Sequence, residues 1–105
     1  MPDRIDLLIN ILLDDGARDD ERDDAAMDLG QFNDERALNA LMKVATDLEL
    51  QNAFFIDVCG ESIANILIKK EDENLFNSFA EQLTPLAKYA AQRFIKVAKP
   101  HWIRD

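Results

Sequence analysis

The sequence predicts an all-α fold, a short α-solenoid (α/α superhelix) of about six helices, and three observations predict it. Leu and Ala together number 26 while Val, Thr and Tyr together number 6, so strong helix formers outweigh strand formers. Apolar residues return at spacings of three and four along most of the chain, the period of one helix face. A short motif of small and large residues also recurs at intervals of 34 and 31 residues, the kind of period that marks stacked helix pairs.

The first helix is expected over 3–14, with Asp3 as its cap and Ile5, Leu8, Ile9 and Leu12 on one stripe; Asp15-Gly16 ends it. The second is expected over 19–30, its acidic first turn suiting the positive end of a helix dipole. Asn33 reads as the cap of a third helix over 34–47, with Ala37, Leu38, Leu41 and Val44 facing inward. A fourth covers 52–69 and a fifth 72–82. The sixth opens at Thr84-Pro85, a cap followed by Pro at the first helical position, and ends before Pro100. Connections of two to five residues predict that consecutive helices lie antiparallel and adjacent. Nothing reads as a linker, so one domain is expected over 1–105.

The repeat runs small-small-x-x-large-small-x-large. Ala25-Ala26-Met27-Asp28-Leu29-Gly30-Gln31-Phe32 overlays Cys59-Gly60-Glu61-Ser62-Ile63-Ala64-Asn65-Ile66, and Ala90-Ala91-Gln92-Arg93-Phe94-Ile95 follows as a weaker third copy. Small residues let neighbouring helices approach closely, and the large ones fill the groove between them. Gly60 inside a helix costs up to about 1 kcal/mol relative to Ala, so close packing is the expected reason for its presence.

The run from Asp23 to Leu41, with its paired alanines, Leu29-Gly30, short polar turn and Ala37-Leu38-x-x-Leu41, resembles a HEAT-like repeat. The segment Asp57–Ile66 is similar to the next unit in small bacterial HEAT-like proteins, among them immunity proteins of contact-dependent growth inhibition systems. The resemblance covers about 19–98 and implies a protein that binds and neutralises a cognate toxin domain, often a nuclease. It departs from a regular array in having two full repeats and a degenerate third.

Charge excludes several classes. The chain of 105 residues carries 12 Lys and Arg against 21 Asp and Glu, a formal charge of −9. That opposes general binding to phosphate backbones, whose affinity comes from cationic contacts. The imbalance is graded: residues 1–35 carry −9, residues 36–83 carry −4 and residues 84–105 carry +4. Lys88, Gln92, Lys96 and Lys99 form a basic stripe with Arg93 and Tyr89 beside it, which the negative end of a helix dipole also favours. Cys59 is the only cysteine and His101 the only histidine, which leaves no cysteine-based zinc site and little His-based chemistry. Cys59 reads as a buried, inert thiol and His101 as a terminal residue packed or in solvent. No Gly-rich phosphate loop is present among three glycines, and Asp14-Asp15-Gly16 lacks the alternating ligands of an EF-hand loop. No cofactor or metal is expected, and no spanning segment is legible, so a cytoplasmic protein without a membrane or nucleic-acid partner is expected.

The acids Asp19, Asp20, Glu21, Asp23, Asp24 and Asp28 fall within ten residues. They suit either a solvated helix start or a docking surface for a cationic partner. Asp23 and Asp57 hold the same repeat position, and Glu61 lies one turn beyond Asp57, so these three are expected in one acidic strip that Lys88 ends in the third copy. The competing reading pairs Glu61 with Lys88 or another base. Asp19, Asp20, Asp23, Asp28, Asp57 and Glu61 are the expected partner-binding residues. The leading expectation is a non-enzymatic immunity protein that covers the cationic active-site region of a basic toxin, a nuclease. The alternatives are a HEAT-like scaffold or chaperone for another partner, and a HEAT-like lyase of the pigment-attachment type, which lacks an evident nucleophile or base here.

Overall fold

A computed structural model describes residues 3–103, which form six α-helices and one short 3-10 turn with no strand among them. The helices are α1 (Arg4–Leu12), α2 (Asp19–Leu29), α3 (Glu35–Ala45), α4 (Ala53–Lys70), α5 (Glu73–Ala80) and α6 (Pro85–Ala98), followed by a turn at Pro100–Trp102. The all-α class and the number of helices are as the sequence predicts.

Side-chain caps set most of the starts. Asp3 accepts a hydrogen bond from the Asp6 amide (2.9 Å), Asn52 from Phe55 (3.1 Å), Asp72 from Leu75 (3.0 Å) and Thr84 from Ala87 (3.4 Å). The third helix is capped by Asp34, whose carboxylate accepts from the Arg36 amide at 2.8 Å, and not by Asn33. Asp34 gains twice from that position, because the Arg36 side chain binds it as well and also reaches Asp3, the cap of α1, and Asp6 within α1. Only α2 lacks a side-chain cap: Arg18 holds the capping position, and the acids of the first turn lie at the positive end of the dipole instead.

Two connections are longer than the sequence suggests. The segments 13–18 and 46–52 separate α1 from α2 and α3 from α4, because α1 ends at Leu12 and α3 at Ala45, each short of the expected bound. Adjacency in sequence also does not always mean adjacency in space. The helix α4 packs against α2, α3, α5 and α6, and α1 packs against α2 and α3, whereas α6 lies along α4 with little close backbone packing on α5. The rows α2, α4 and α6 are therefore neighbours through α4.

Small residues explain that arrangement. Ala25, Ala26, Cys59, Gly60, Ala90 and Ala91 are all buried. A methyl group on Gly60 would lie 2.5 Å from the Ala87 carbonyl oxygen and 3.1 Å from the Ala90 Cβ, both on α6. One on Gly30 would meet Ser62 of α4 at 2.7–3.0 Å. Ser62 Oγ donates to the Ala26 carbonyl at 2.7 Å, and Asn65 Nδ2 donates to the Gly30 carbonyl at 2.8 Å, so α4 also satisfies the carbonyls that end α2. The third copy of the repeat departs in register. Leu29 and Ile63 are fully buried, but in α6 that place is taken by Ile95, while Phe94 stays on the surface.

Trp102 closes the far side by packing on Phe76, with ring centroids 6.0 Å apart, and His101 remains exposed beside it. The free thiol of Cys59 is buried, and burial pushes its pKa up to about 12, so it is an inert packing group as expected.

Gly60→Ala tests the α4–α6 contact. Higher helix propensity favours Ala by up to about 1 kcal/mol, but the added methyl meets the backbone of a neighbouring helix, which cannot move alone. The expected net result in chemical denaturation is a loss of about 1–3 kcal/mol. Gly16→Ala, on the exposed first connection, should stay within about 0.5 kcal/mol of wild type. Equal midpoints for Gly60→Ala and wild type would refute the tight contact.

Candidate functional site

Three places in the structure hold five of the six acids singled out in the sequence. The first is the end of the molecule where segments 13–18 and 46–52 converge. They border a groove of about 200 Å³ lined by Leu13, Asp15, Arg22, Lys43, Val44, Asp47 and Leu50, the exposed Lys43 standing as a cation among the acids. Asp19 and Asp20 stand at the start of α2 beside it, both exposed. Asp20 is bridged by Arg18 Nε at 3.2 Å, and the same nitrogen reaches Glu21 at 3.1 Å. Asp19 has no ion pair among the described residues. Asp14, Asp15, Asp24, Asp47 and Glu49 are also exposed, so this end is densely anionic. Apolar groups stand among the acids: Leu48 is 81% exposed, and Leu13 and Phe54 are exposed too.

Arg22 links the elements of this end. Its Nε donates to the Leu12 carbonyl at 3.0 Å, its guanidinium carbon lies 4.6 Å above the Phe55 ring, and Asp15 is 3.8 Å away. One side chain thus ties the end of α1 to α2 and to the first turn of α4. It sits inside a run of acids, and the sequence reading passed over it.

The second place is the face shared by α4 and α6. Asp57 and Glu61 are brought together as expected, but Arg93 sits between them: Nη2 is 2.7 Å from Glu61 Oε1 and 3.5 Å from both Asp57 oxygens. Those carboxylates, Glu61 foremost, raise the Arg93 pKa. Lys88, named from the repeat as the base that ends the strip, is not their partner. It lines a cleft with Asn74, Gln92 and Trp102 on the other side of α6. Five residues at 100° each put Lys88 and Arg93 roughly 140° apart around the helix, and the shifted register of α6 turns Arg93 toward α4.

Asp23 does not join that cluster. It is half-buried, its Oδ1 is buried without a hydrogen-bond partner, and burial raises its pKa, assisted by the neighbouring charges of Asp19, Asp24 and Asp20. The third place is the α1 side of α2, where Asp28 pairs with Arg4 at 3.2 Å. Of the expected strip of Asp23, Asp57 and Glu61, the last two share Arg93 and Asp23 has no bond to it, while Asp19 and Asp20 lie at the acidic end and Asp28 pairs with Arg4.

No group of His, Cys, Asp and Glu among the described residues is arranged to hold a metal ion. No helix among them is long and apolar enough to cross a membrane. No family model, curated protein or solved structure matches the chain.

Two predictions follow from these charges. Asp23 has a raised pKa, so its ionisation opposes folding above that pKa, and the penalty lifts as pH falls through it. Asp23→Asn should therefore melt higher than wild type at pH 7, with the gain shrinking toward pH ~4 as the native carboxylate protonates. Asp3 and Asp34 act oppositely: the Asp6 amide and Arg36 lower Asp3, and Arg36 lowers Asp34. Their stabilisation is present above the ordinary carboxylate pKa and is lost below it, so thermal melting of wild type should fall as pH drops below ~4. A variant melting profile parallel to wild type across that range would contradict the burial of Asp23.

The Arg93 cluster is half exposed, and such pairs contribute about 0–1 kcal/mol. Glu61→Gln and Arg93→Gln should each lower stability by less than about 1 kcal/mol, measured by denaturant titration. A larger loss would give the cluster a structural importance that its solvent exposure contradicts.

Proposed function

We propose that this chain is a short HEAT-like helical array that works as an immunity protein, binding and neutralising a basic toxin domain of the nuclease class. The lateral packing of α2, α4 and α6 through small residues, with α1 and α3 packed together on α2 and α4, supports the HEAT-like reading. The observation that carries the function is the acidic end. Asp14, Asp15, Asp19, Asp20, Asp24, Asp47 and Glu49 surround exposed Leu13 and Leu48, a mixture that offers both charge and apolar area to a partner.

A nuclease must attract phosphates, so its cleft is cationic. An anionic protein is drawn to such a surface by long-range attraction, which raises the association rate before any contact forms. Leu13, Leu48 and Leu50 then provide desolvated contact, while the acids exclude nucleic acid by occupying its place. In this reading Asp19, which has no ion pair among the described residues, is the principal steering group, and Asp20 adds to it although Arg18 offsets part of its charge. Asp57 and Glu61 contribute less, because Arg93 already cancels part of their charge, and Asp23 and Asp28 act within the fold.

The experiment begins with affinity capture from the native host and mass spectrometry, followed by kinetics with the purified partner. The expected partner is basic. Asp19→Lys with Asp20→Lys should slow association by roughly tenfold at low salt, the difference vanishing near ~1 M salt, where the Debye length is about 3 Å. Leu48→Asp should mainly speed dissociation. A neutral or acidic partner, or association indifferent to salt, would sink the proposal.

A further inference from the structure

The outer face of α2, α4 and α6 carries apolar groups that the molecule itself leaves uncovered. Met27, Val58, Asn65 and Phe94 border a groove of about 230 Å³, with Glu61 on its wall. Arg93, Phe94 and Val97 border the next depression, and Tyr89 and Lys96 flank Arg93 on its other side. Val97 is 87% exposed and Tyr89 62%, and the Arg93 guanidinium lies 5.5 Å from the Tyr89 ring centroid. Contiguous exposed apolar groups rimmed by charge mark interaction surfaces more often than chance exposure.

Charge identifies the occupant. The chain as a whole carries −9, so two copies repel over most of their surfaces. On this face charges of both signs are displayed in equal number: Asp57 and Glu61 on α4 hold Arg93 of α6, and Lys96 stands beyond Arg93 on the same helix. They are also segregated, acids on one helix and bases on the next. A two-fold axis through such a face sets the bases of each copy over the acids of the other, the self-complementarity that an isologous contact requires. A strongly charged partner of either sign would find half of the pattern repulsive.

We propose that the α4–α6 face is a homodimer interface, in which a second copy of this chain covers Phe94, Val97 and Tyr89 and shares the Arg93–Glu61 pairs across a two-fold axis. The interface lies apart from the acidic end assigned to the toxin, so either assignment can fail without the other. Dimerisation would present two acidic ends on one particle and raise avidity for a surface-bound or dimeric partner.

Sedimentation velocity on the purified full chain over a range of concentrations up to about 1 mM, the scale of a weak specific contact, tests the interface. A concentration-dependent dimer is expected. Val97→Asp should weaken it by at least roughly tenfold while leaving the melting temperature unchanged, since Val97 touches solvent in the monomer. Lys96→Glu should weaken it too, because it breaks the charge balance of the face. A wild-type chain that stays monomeric throughout would overturn the proposal, and so would a dimer that Val97→Asp and Lys96→Glu leave intact.

Discussion

The contact on which the rest of this structure depends is the seating of α6 against α4 at Gly60. A hydrogen in place of a side chain lets the Ala87 carbonyl and the Ala90 methyl approach the α4 backbone more closely than any other residue allows. Once α6 lies there, Ile95 turns into the core, Arg93 turns toward Asp57 and Glu61, and Phe94 and Val97 are left outside. The surface chemistry of that face is thus a consequence of one steric allowance in the middle of a helix.

A similar logic operates between α2 and α4. Gly30 admits Ser62, and the hydroxyl of Ser62 and the amide of Asn65 bind the carbonyls at the end of α2. Close approach and polar satisfaction come from the same residues, so α2 can be hydrophilic through its first half and still be anchored by Ala25, Ala26 and Leu29. The acidic half is held by Arg22, whose stacking on Phe55 and hydrogen bond to Leu12 oppose the mutual repulsion of the surrounding carboxylates. Those contacts set attraction against the repulsion in the helix that displays the negative charge.

The two surfaces proposed for binding differ in kind. The end formed by segments 13–18 and 46–52 is unbalanced and suited to fast capture of a cationic partner. The α4–α6 face is balanced and apolar, suited to its own copy. Separating them lets the molecule keep a high net charge without forbidding self-association, since repulsion is screened beyond about 8 Å at physiological ionic strength.

Local signals in the sequence were enough for the helices. Asp3 and Thr84-Pro85 are legible as starts because capping and proline geometry are settled within a few residues, and the expected bounds at 52 and 72 fall on the capping residues Asn52 and Asp72. The burial of Cys59, the role of Gly60 and the closeness of Asp57 to Glu61 were legible for the same reason, since helix periodicity fixes which neighbours share a face. The choice of Asp34 over Asn33 was not, because Arg36 binds Asp34 while reaching carboxylates on another helix. Nor was the partner of Glu61: the sequence leaves Lys88 or another base open, and the seating of α6 on α4 with Ile95 inward brings Arg93 to it. Sequence determined which residues are helical and which are charged; only packing between distant helices decided which charges are cancelled, which are buried and which are left to meet a partner.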